Sequence, residues 1–100
     1  MKYKILQVKD FENCNYLFTS YERAVKYGFN LDDYEVVYEG DRDFDYVDDL
    51  DCLEQLFYIF NCQHPKDFKG HSLSVSDIVW LNGKYYYVDS FGYQLIKEGN

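Results

Sequence analysis

Two strand-forming runs that flank Asn82-Gly83 specify a β-hairpin in the last third of this chain. The first run is Ile78-Val79-Trp80-Leu81 and the second is Lys84-Tyr85-Tyr86-Tyr87-Val88. Asn-Gly is favoured in a two-residue type I′ turn, because both central positions need a positive φ. A second turn at residues 90–92 and a strand at 93–96 extend the hairpin to a three-stranded antiparallel meander.

The remaining sequence predicts two more strands and two helices. Residues 3–8 and 34–39 read as strands, with Tyr34, Val36 and Tyr38 expected on one face of the second. A short helix is expected to start at the capping-box spacing of residues 19–22 and to end at Gly28. A longer helix over about residues 49–60, with Asp48 as its N-cap, is expected to cover one sheet face.

These elements predict one α+β domain over residues 1–100, with a mainly antiparallel sheet of four or five strands and two helices. Hydrophobic residues make up 47% of the chain, which is enough for a core and argues against disorder. The predicted core residues are Ile5, Leu50, Leu53, Phe57, Phe60, Ile78, Trp80, Tyr86, Val88 and Leu95.

The apolar pattern indicates neither export nor membrane insertion. The first nine residues lack the apolar run of a signal peptide, and the apolar run at 56–60 is far too short to span a bilayer. The three cysteines, Cys14, Cys52 and Cys62, are an odd number, which fits reduced thiols in a cytoplasm. We therefore expect a cytoplasmic protein that contacts no membrane.

Charge is distributed very unevenly along the chain. Residues 32–54 contain eleven acids and one base, so this window carries −10 while the remainder carries +2, against a total of −8. A surface of this kind repels nucleic acid and steers towards basic surfaces. Two interpretations stay open: a solvated face that aids solubility, and a phosphate-like surface that occupies a basic groove of a nuclease. The predicted contact residues are Asp41, Asp43, Asp45, Asp48, Asp49 and Asp51.

Metal binding finds little support in the sequence. The acids from Asp41 onward alternate as an EF-hand loop begins, but Tyr46 stands where glycine is required and Cys52 where glutamate is required. Cys52 and Cys62 are ten residues apart and lack the close pairing of zinc ligands. We therefore predict no metal and no cofactor.

Two further clusters allow a functional or a structural interpretation. Within residues 70–77, His71 as base, a serine as nucleophile and Asp77 as orienting group would resemble a catalytic triad, whereas Ser and Asp side chains also fix turns. The structural role is the favoured one, and no catalytic residue is assigned. Tyr85 and Tyr87 are expected on the sheet face opposite Tyr86, where an exposed pair beside Trp80 would suit protein binding. Base stacking there is disfavoured, because Lys84 is the single adjacent base in the sequence.

Two stretches of the chain resemble the YodL-like domain family. One is residues 33–41, and the other comprises Phe60-Asn61, the run from His64 to Val79 and the segment from Tyr86 to Gly92. The similarity covers about residues 30–96, and the run from His64 to Val79 is its most specific part. Such domains occur alone and inside large proteins of conjugative elements, plasmids and phages of Gram-positive bacteria. The resemblance implies this mobile-element setting and no known reaction.

The two lines of reasoning together predict a small non-enzymatic binding protein of a mobile element. We expect it to bind a bacterial nucleic-acid-handling protein, such as a CRISPR effector or a restriction nuclease, and no nucleic acid directly. The alternative is an accessory targeting or assembly domain that binds a protein partner through its aromatic sheet face.

Overall fold

The computed structural model describes residues 1–98 and shows one five-stranded sheet with two α-helices. The elements in chain order are β1 (Lys2–Val8), α1 (Tyr21–Lys26), β2 (Tyr34–Asp41), α2 (Asp49–Cys62), β3 (Ile78–Leu81), β4 (Lys84–Val88) and β5 (Tyr93–Glu98). Every neighbouring pair is antiparallel, and the order across the sheet is β2-β1-β3-β4-β5. The predicted α+β class is confirmed.

The hairpin has the predicted turn. Asn82 and Gly83 have φ angles of 46° and 94°, so both central positions lie in the left-handed region that a type I′ turn requires. β3 and β4 pair from Ile78↔Tyr87 to Leu81↔Lys84, and β5 then pairs with β4 to complete the meander. The strands of the sheet have two ends. We call the end at which this turn lies the hairpin end, and the opposite end of the strands the loop end.

Side chains alternate between two hydrophobic clusters, one on each face of the sheet. Ile5, Val79 and Leu81 pack under α2, whereas Ile78 and Tyr87 pack against α1 and its flanking loops on the other face. All four residues of the central strand β3 are buried. Each face of the sheet therefore carries its own hydrophobic core, and β2 and β5 are the edge strands.

The face of α2 that packs on the sheet is narrower than the sequence predicted. Asp48 caps the helix by accepting a hydrogen bond from Asp51 N, and the buried face consists of Cys52, Leu53, Leu56 and Phe60. Leu50 and Phe57 were predicted to be in the core, but they are 49% and 36% exposed. At about 100° of rotation per residue, both lie on the flank of the helix. Leu95 is 40% exposed on an edge strand, so that prediction is also wrong.

A β-bulge in β2 overturns the predicted face of that strand. Ile5 pairs with Tyr38 and Leu6 pairs with Val36, so Val37 is an extra residue on β2. One extra residue reverses the inward and outward alternation beyond it. Tyr38 consequently joins the α2 cluster while Tyr34 joins the opposite one, although the sequence predicted that they share a face.

The short helix α1 begins one residue later than the capping-box spacing indicates. Ser20, not Thr19, is the N-cap and accepts a hydrogen bond from Arg23 N. Gly28 has a φ of 86°, and the chain leaves the helix there, as predicted. In the described part of the chain, neither helix has the length and apolar character needed to cross a bilayer.

Candidate functional site

Asp41, the last residue of β2, and the segment that joins β2 to α2 form an acidic loop, residues 41–48, at the hairpin end of the sheet. Asp41, Asp43 and Asp45 are exposed. Within residues 1–98, no hydrogen bond or ion pair involves the carboxylates of Asp43 and Asp45. These two side chains are available to an external partner.

Contacts along its length hold the acidic loop in place. Arg42 N donates to Met1 O at 3.0 Å, and Gln55 Nε2 donates to Asp45 O at 2.9 Å. Phe44 turns inward and packs edge-on against the Tyr3 ring, with centroids 6.3 Å apart. The backbone carrying Asp43 and Asp45 is therefore anchored on both sides and through its own aromatic residue.

Four of the six predicted contact residues already have partners within the protein. Asp41 Oδ1 lies 3.0 Å from the Met1 ammonium, and the other three are Asp48, Asp49 and Asp51. Asp48 Oδ1 accepts from Asp51 N at 3.1 Å, and Asp51 Oδ2 accepts from Val47 N at 2.8 Å, so the two close the first turn of α2. Asp49 Oδ2 accepts from Tyr86 Oη at 2.5 Å and from Lys84 Nζ at 3.2 Å. Asp49 thereby ties α2 to β4, so its carboxylate already has partners within the protein.

The acidic window that is continuous in sequence is divided in space. β2 runs the length of the sheet, and its eight residues span about 25 Å. Asp32 and Asp33 lie at the loop end, where Asp33 Oδ2 accepts from Tyr16 Oη at 2.6 Å. The charge of −10 is therefore spread over the turn before β2, β2 itself, the acidic loop and α2, and only four of its acids, Asp41, Asp43, Asp45 and Asp48, lie in the acidic loop.

The expected exposed tyrosine pair is absent from the described sheet. Tyr85 and Tyr87 do lie on the face opposite Tyr86, as predicted, but Tyr87 is 0% exposed. Its hydroxyl donates to Thr19 O at 2.7 Å, and burial raises its pKa to about 12. Tyr85 is half-buried with Lys97 Nζ 5.3 Å above its ring. Tyr87 cannot act as a contact residue, because α1 and its flanking loops cover it.

At the loop end, a buried polar cluster joins residues that are far apart in sequence. We define it as Gln7, His71, Ser74 and Asp77. Gln7 Nε2 donates to His71 O at 2.8 Å and to Asp77 Oδ2 at 3.1 Å, and Gln7 Oε1 accepts from His71 N at 3.2 Å. Ser74 N donates to Asp77 Oδ2 at 2.9 Å. These bonds agree with the turn-fixing role that the sequence favours for this segment, whereas Gln7 is an anchor that the sequence alone does not indicate.

The serine–histidine–aspartate alternative lacks its central hydrogen bond. Ser74 Oγ donates to Ser72 O, and Ser76 Oγ accepts from Phe18 N at 3.0 Å. Among residues 1–98, none of the serine hydroxyls in this segment bonds to the His71 ring. Asp77 is 1% exposed, and burial raises the pKa of its carboxyl to about 7. The arrangement holds a segment of chain in place and does not present an activated hydroxyl.

In the part of the chain that the structure describes, the cysteines and the remaining carboxylates do not gather into a metal site. Cys14 is half-buried, Cys52 is buried and Cys62 is exposed, and all three are free thiols. Burial raises the pKa of the Cys52 thiol above its usual value. No three His, Cys, Asp or Glu side chains within residues 1–98 are close enough together to hold a metal ion.

The comparisons with known proteins place the chain in a family. Its fold is a five-stranded antiparallel sheet with a helix on each side, and its candidate sites are an anchored acidic loop and a buried polar cluster. The family model for the YodL-like domain matches residues 2–98, so the chain belongs to that family. No curated protein and no solved structure matches the chain.

Proposed function

We propose that this protein is a non-enzymatic inhibitor carried by a mobile genetic element, and that it acts in counter-defence. Its acidic loop would occupy the basic nucleic-acid-binding surface of a host nuclease, such as a CRISPR effector or a restriction enzyme. The observation that carries the proposal is the pair of exposed, internally unpartnered carboxylates of Asp43 and Asp45 on an anchored loop.

Anchoring matters because binding is weakened by the entropy lost when a mobile loop becomes ordered. Gln55 and Phe44 already hold the loop, so this loss is small when a partner binds. The two carboxylates are two residues apart and form a short row of unneutralised negative charges on one loop, whereas Asp41, two residues before them, is paired with the Met1 ammonium at 3.0 Å. Such a row suits a groove that normally accommodates a row of phosphates.

Electrostatic complementarity of this kind acts mainly on the association rate and is screened by salt. We therefore expect the complex to form rapidly at low ionic strength and to weaken as salt rises. A target that binds through apolar contacts would show little of this dependence.

The experiment is affinity capture of the tagged protein from a lysate of a Gram-positive strain with nuclease-based defence, followed by a cleavage assay with the captured nuclease. The wild type is compared with an Asp43→Lys/Asp45→Lys variant. The control, Asp32→Lys/Glu35→Lys, makes the same change in net charge at exposed positions towards the other end of β2.

Capture and inhibition by the wild type and the control, with loss in the Asp43→Lys/Asp45→Lys variant, would support the proposal. Equal loss in both variants would mean that net charge, not the acidic loop, drives binding. Normal inhibition by the Asp43→Lys/Asp45→Lys variant would refute the proposal.

A second candidate is an accessory targeting or assembly domain, and the part of the sheet face near the hairpin end favours it. There, lysine side chains rather than a helix lie over the aromatic rings: Lys4 Nζ is 4.7 Å from the Trp80 ring, and Lys97 lies over Tyr85. Tyr85→Ala would abolish capture of a partner that is insensitive to salt. Retention of that partner by Tyr85→Ala would exclude this candidate.

A further inference from the structure

One atom of the polar cluster lacks the hydrogen bond that its burial demands. His71 Nε2 is shielded from solvent, has no hydrogen-bond partner within residues 1–98, and lies 3.7 Å from Asp77 Oδ1. The other ring nitrogen, Nδ1, lies 2.7 Å from Ser72 O. A carbonyl oxygen can only accept, so Nδ1 carries a hydrogen. The neutral ring therefore directs the lone pair of Nε2 at a carboxyl oxygen.

The neighbouring donors do not supply a hydrogen to His71 Nε2 or to Asp77 Oδ1. Gln7 Nε2 has two hydrogens, and His71 O and Asp77 Oδ2 accept them. Ser74 N also donates to Asp77 Oδ2 rather than to Oδ1. Two buried acceptors, Nε2 and Oδ1, thus face each other without a hydrogen between them. Leaving such groups unsatisfied is costly, and one additional proton satisfies both.

We propose that His71 and Asp77 hold one proton between them, and that this proton acts as a pH-sensitive latch that keeps residues 70–77 on the sheet. With the proton on Nε2 the pair is an imidazolium and a carboxylate, and with the proton on Oδ1 it is an imidazole and a carboxylic acid. Either form supplies the missing hydrogen, and the two atoms, 3.7 Å apart, need to approach by about 0.5 Å to form the bond.

No neighbouring group of the described residues can take the place of this proton by supplying a positive charge beside Asp77. From β1 the cluster is faced by Gln7, from β2 by Tyr34, whose hydroxyl donates to Ser76 O, and from β4 by Tyr87. Burial raises the pKa of both tyrosines, so they are neutral across the physiological range. No Lys or Arg of the described residues forms an ion pair with Asp77. The raised pKa of Asp77, about 7, fits a proton that is lost near neutral pH.

Release of the latch would alter an exposed aromatic surface. Phe11 and Phe18 lie against the His71 ring, with centroid distances of 5.1 and 6.5 Å, and they are 43% and 57% exposed. When the proton leaves, the carboxylate and the Nε2 lone pair repel each other. Movement of residues 70–77 away from β1 relieves this repulsion. Phe11 and Phe18 then lose the His71 ring against which they pack.

The test is NMR of the wild-type protein between pH 5 and pH 9. Ring ¹⁵N shifts report which nitrogen of His71 carries a hydrogen, and amide exchange of His71 and Ser74, corrected for the intrinsic pH dependence, reports whether residues 70–77 stay attached. We expect Nδ1 to stay protonated throughout. Protection at Ser74 should fall by up to about tenfold per pH unit once the shared proton is lost, because opening is linked to one proton.

Two variants separate the latch from other pH effects. In Asp77→Asn, an amide hydrogen can replace the shared proton, so Ser74 protection should be the same at pH 6 and pH 8. His64→Gln is the control, because it changes an exposed histidine whose ring nitrogen contacts Pro65 O outside the polar cluster. In this variant the wild-type pH dependence should persist. Equal protection of Ser74 at pH 6 and pH 8 in the wild type would overturn the proposal, and so would loss of the hydrogen from Nδ1. These wild-type outcomes decide the matter even if Asp77→Asn does not fold.

Discussion

The carboxylates of the acidic loop and the carboxyl of Asp77 lie at opposite ends of one sheet, in opposite environments. Asp43 and Asp45 are exposed to water and have no internal partner, whereas Asp77 is buried and accepts hydrogen bonds from Gln7 and Ser74. Water solvates the first two at little cost, but burial of the third requires compensating partners. The comparison separates acids that the fold does not use from an acid on which the fold depends.

The largest effect should follow loss of Gln7, the anchor of the polar cluster. Gln7→Leu removes three hydrogen bonds to His71 and Asp77 and leaves their buried polar atoms unsatisfied. We expect a loss of about 3–5 kcal/mol in the free energy of unfolding, measured by urea denaturation. Gln63→Leu, at an exposed glutamine, is the control and should change stability by less than about 0.5 kcal/mol. Similar values for the two variants would remove the contrast between the two ends.

The next effect is pH-dependent and distinguishes Asp77 from the acids of the loop. Its pKa is raised to about 7 on folding, so over part of the pH range the carboxyl is protonated when folded and ionised when unfolded. The stability that it contributes is full below about pH 4 and is lost as pH rises through about 7. Asp77→Asn lacks this titration, so the wild type should lose stability relative to it as pH rises through about 7. Urea denaturation of both at several pH values gives the difference, and parallel curves would contradict the prediction.

A smaller effect should come from Asp49, which lies beside the acidic loop but serves the fold. Asp49→Asn weakens its bonds to Tyr86 and Lys84, and it removes a charge that favours the N-terminus of α2. We expect a loss of about 1–2 kcal/mol, measured as a shift in the urea midpoint. If stability is unchanged, Asp49 belongs with the freely available acids after all.

The smallest effect should come from the exposed pair. Asp43→Asn/Asp45→Asn removes two negative charges that no internal partner neutralises, so stability should stay within about 0.5 kcal/mol of the wild type. Any change should be a gain at low salt, because repulsion within the acidic loop falls. A loss of more than about 1 kcal/mol would show that these carboxylates have a structural role.

The edge strands show how the fold limits unwanted pairing. Both β2 and β5 carry a bulge, at Val37 and at Ile96 respectively, and both present charged residues such as Glu39 and Lys97. Bulges and charges at sheet edges discourage pairing with other chains. An unpartnered edge in this protein therefore does not by itself indicate an oligomer interface.

The sequence determined the features that depend on local chemistry. Asn82-Gly83 specified the type I′ hairpin, Asp48 capped α2, and Gly28 ended α1, because turns and caps are set by the preferences of a few adjacent residues. The antiparallel meander and the α+β class followed from these elements and their spacing. The resemblance in the run from His64 to Val79 likewise led to the family that the comparison confirmed.

Tertiary structure decided what depends on residues distant in sequence. The bulge at Val37 moved Tyr38 to the other face, because it depends on pairing with β1. Burial of Tyr87 depends on α1 and its flanking loops, and the bonds from Gln7 to Asp77 join positions 70 residues apart. Periodicity and spacing describe neighbours along the chain, whereas burial, charge state and hydrogen bonding are set by neighbours in space.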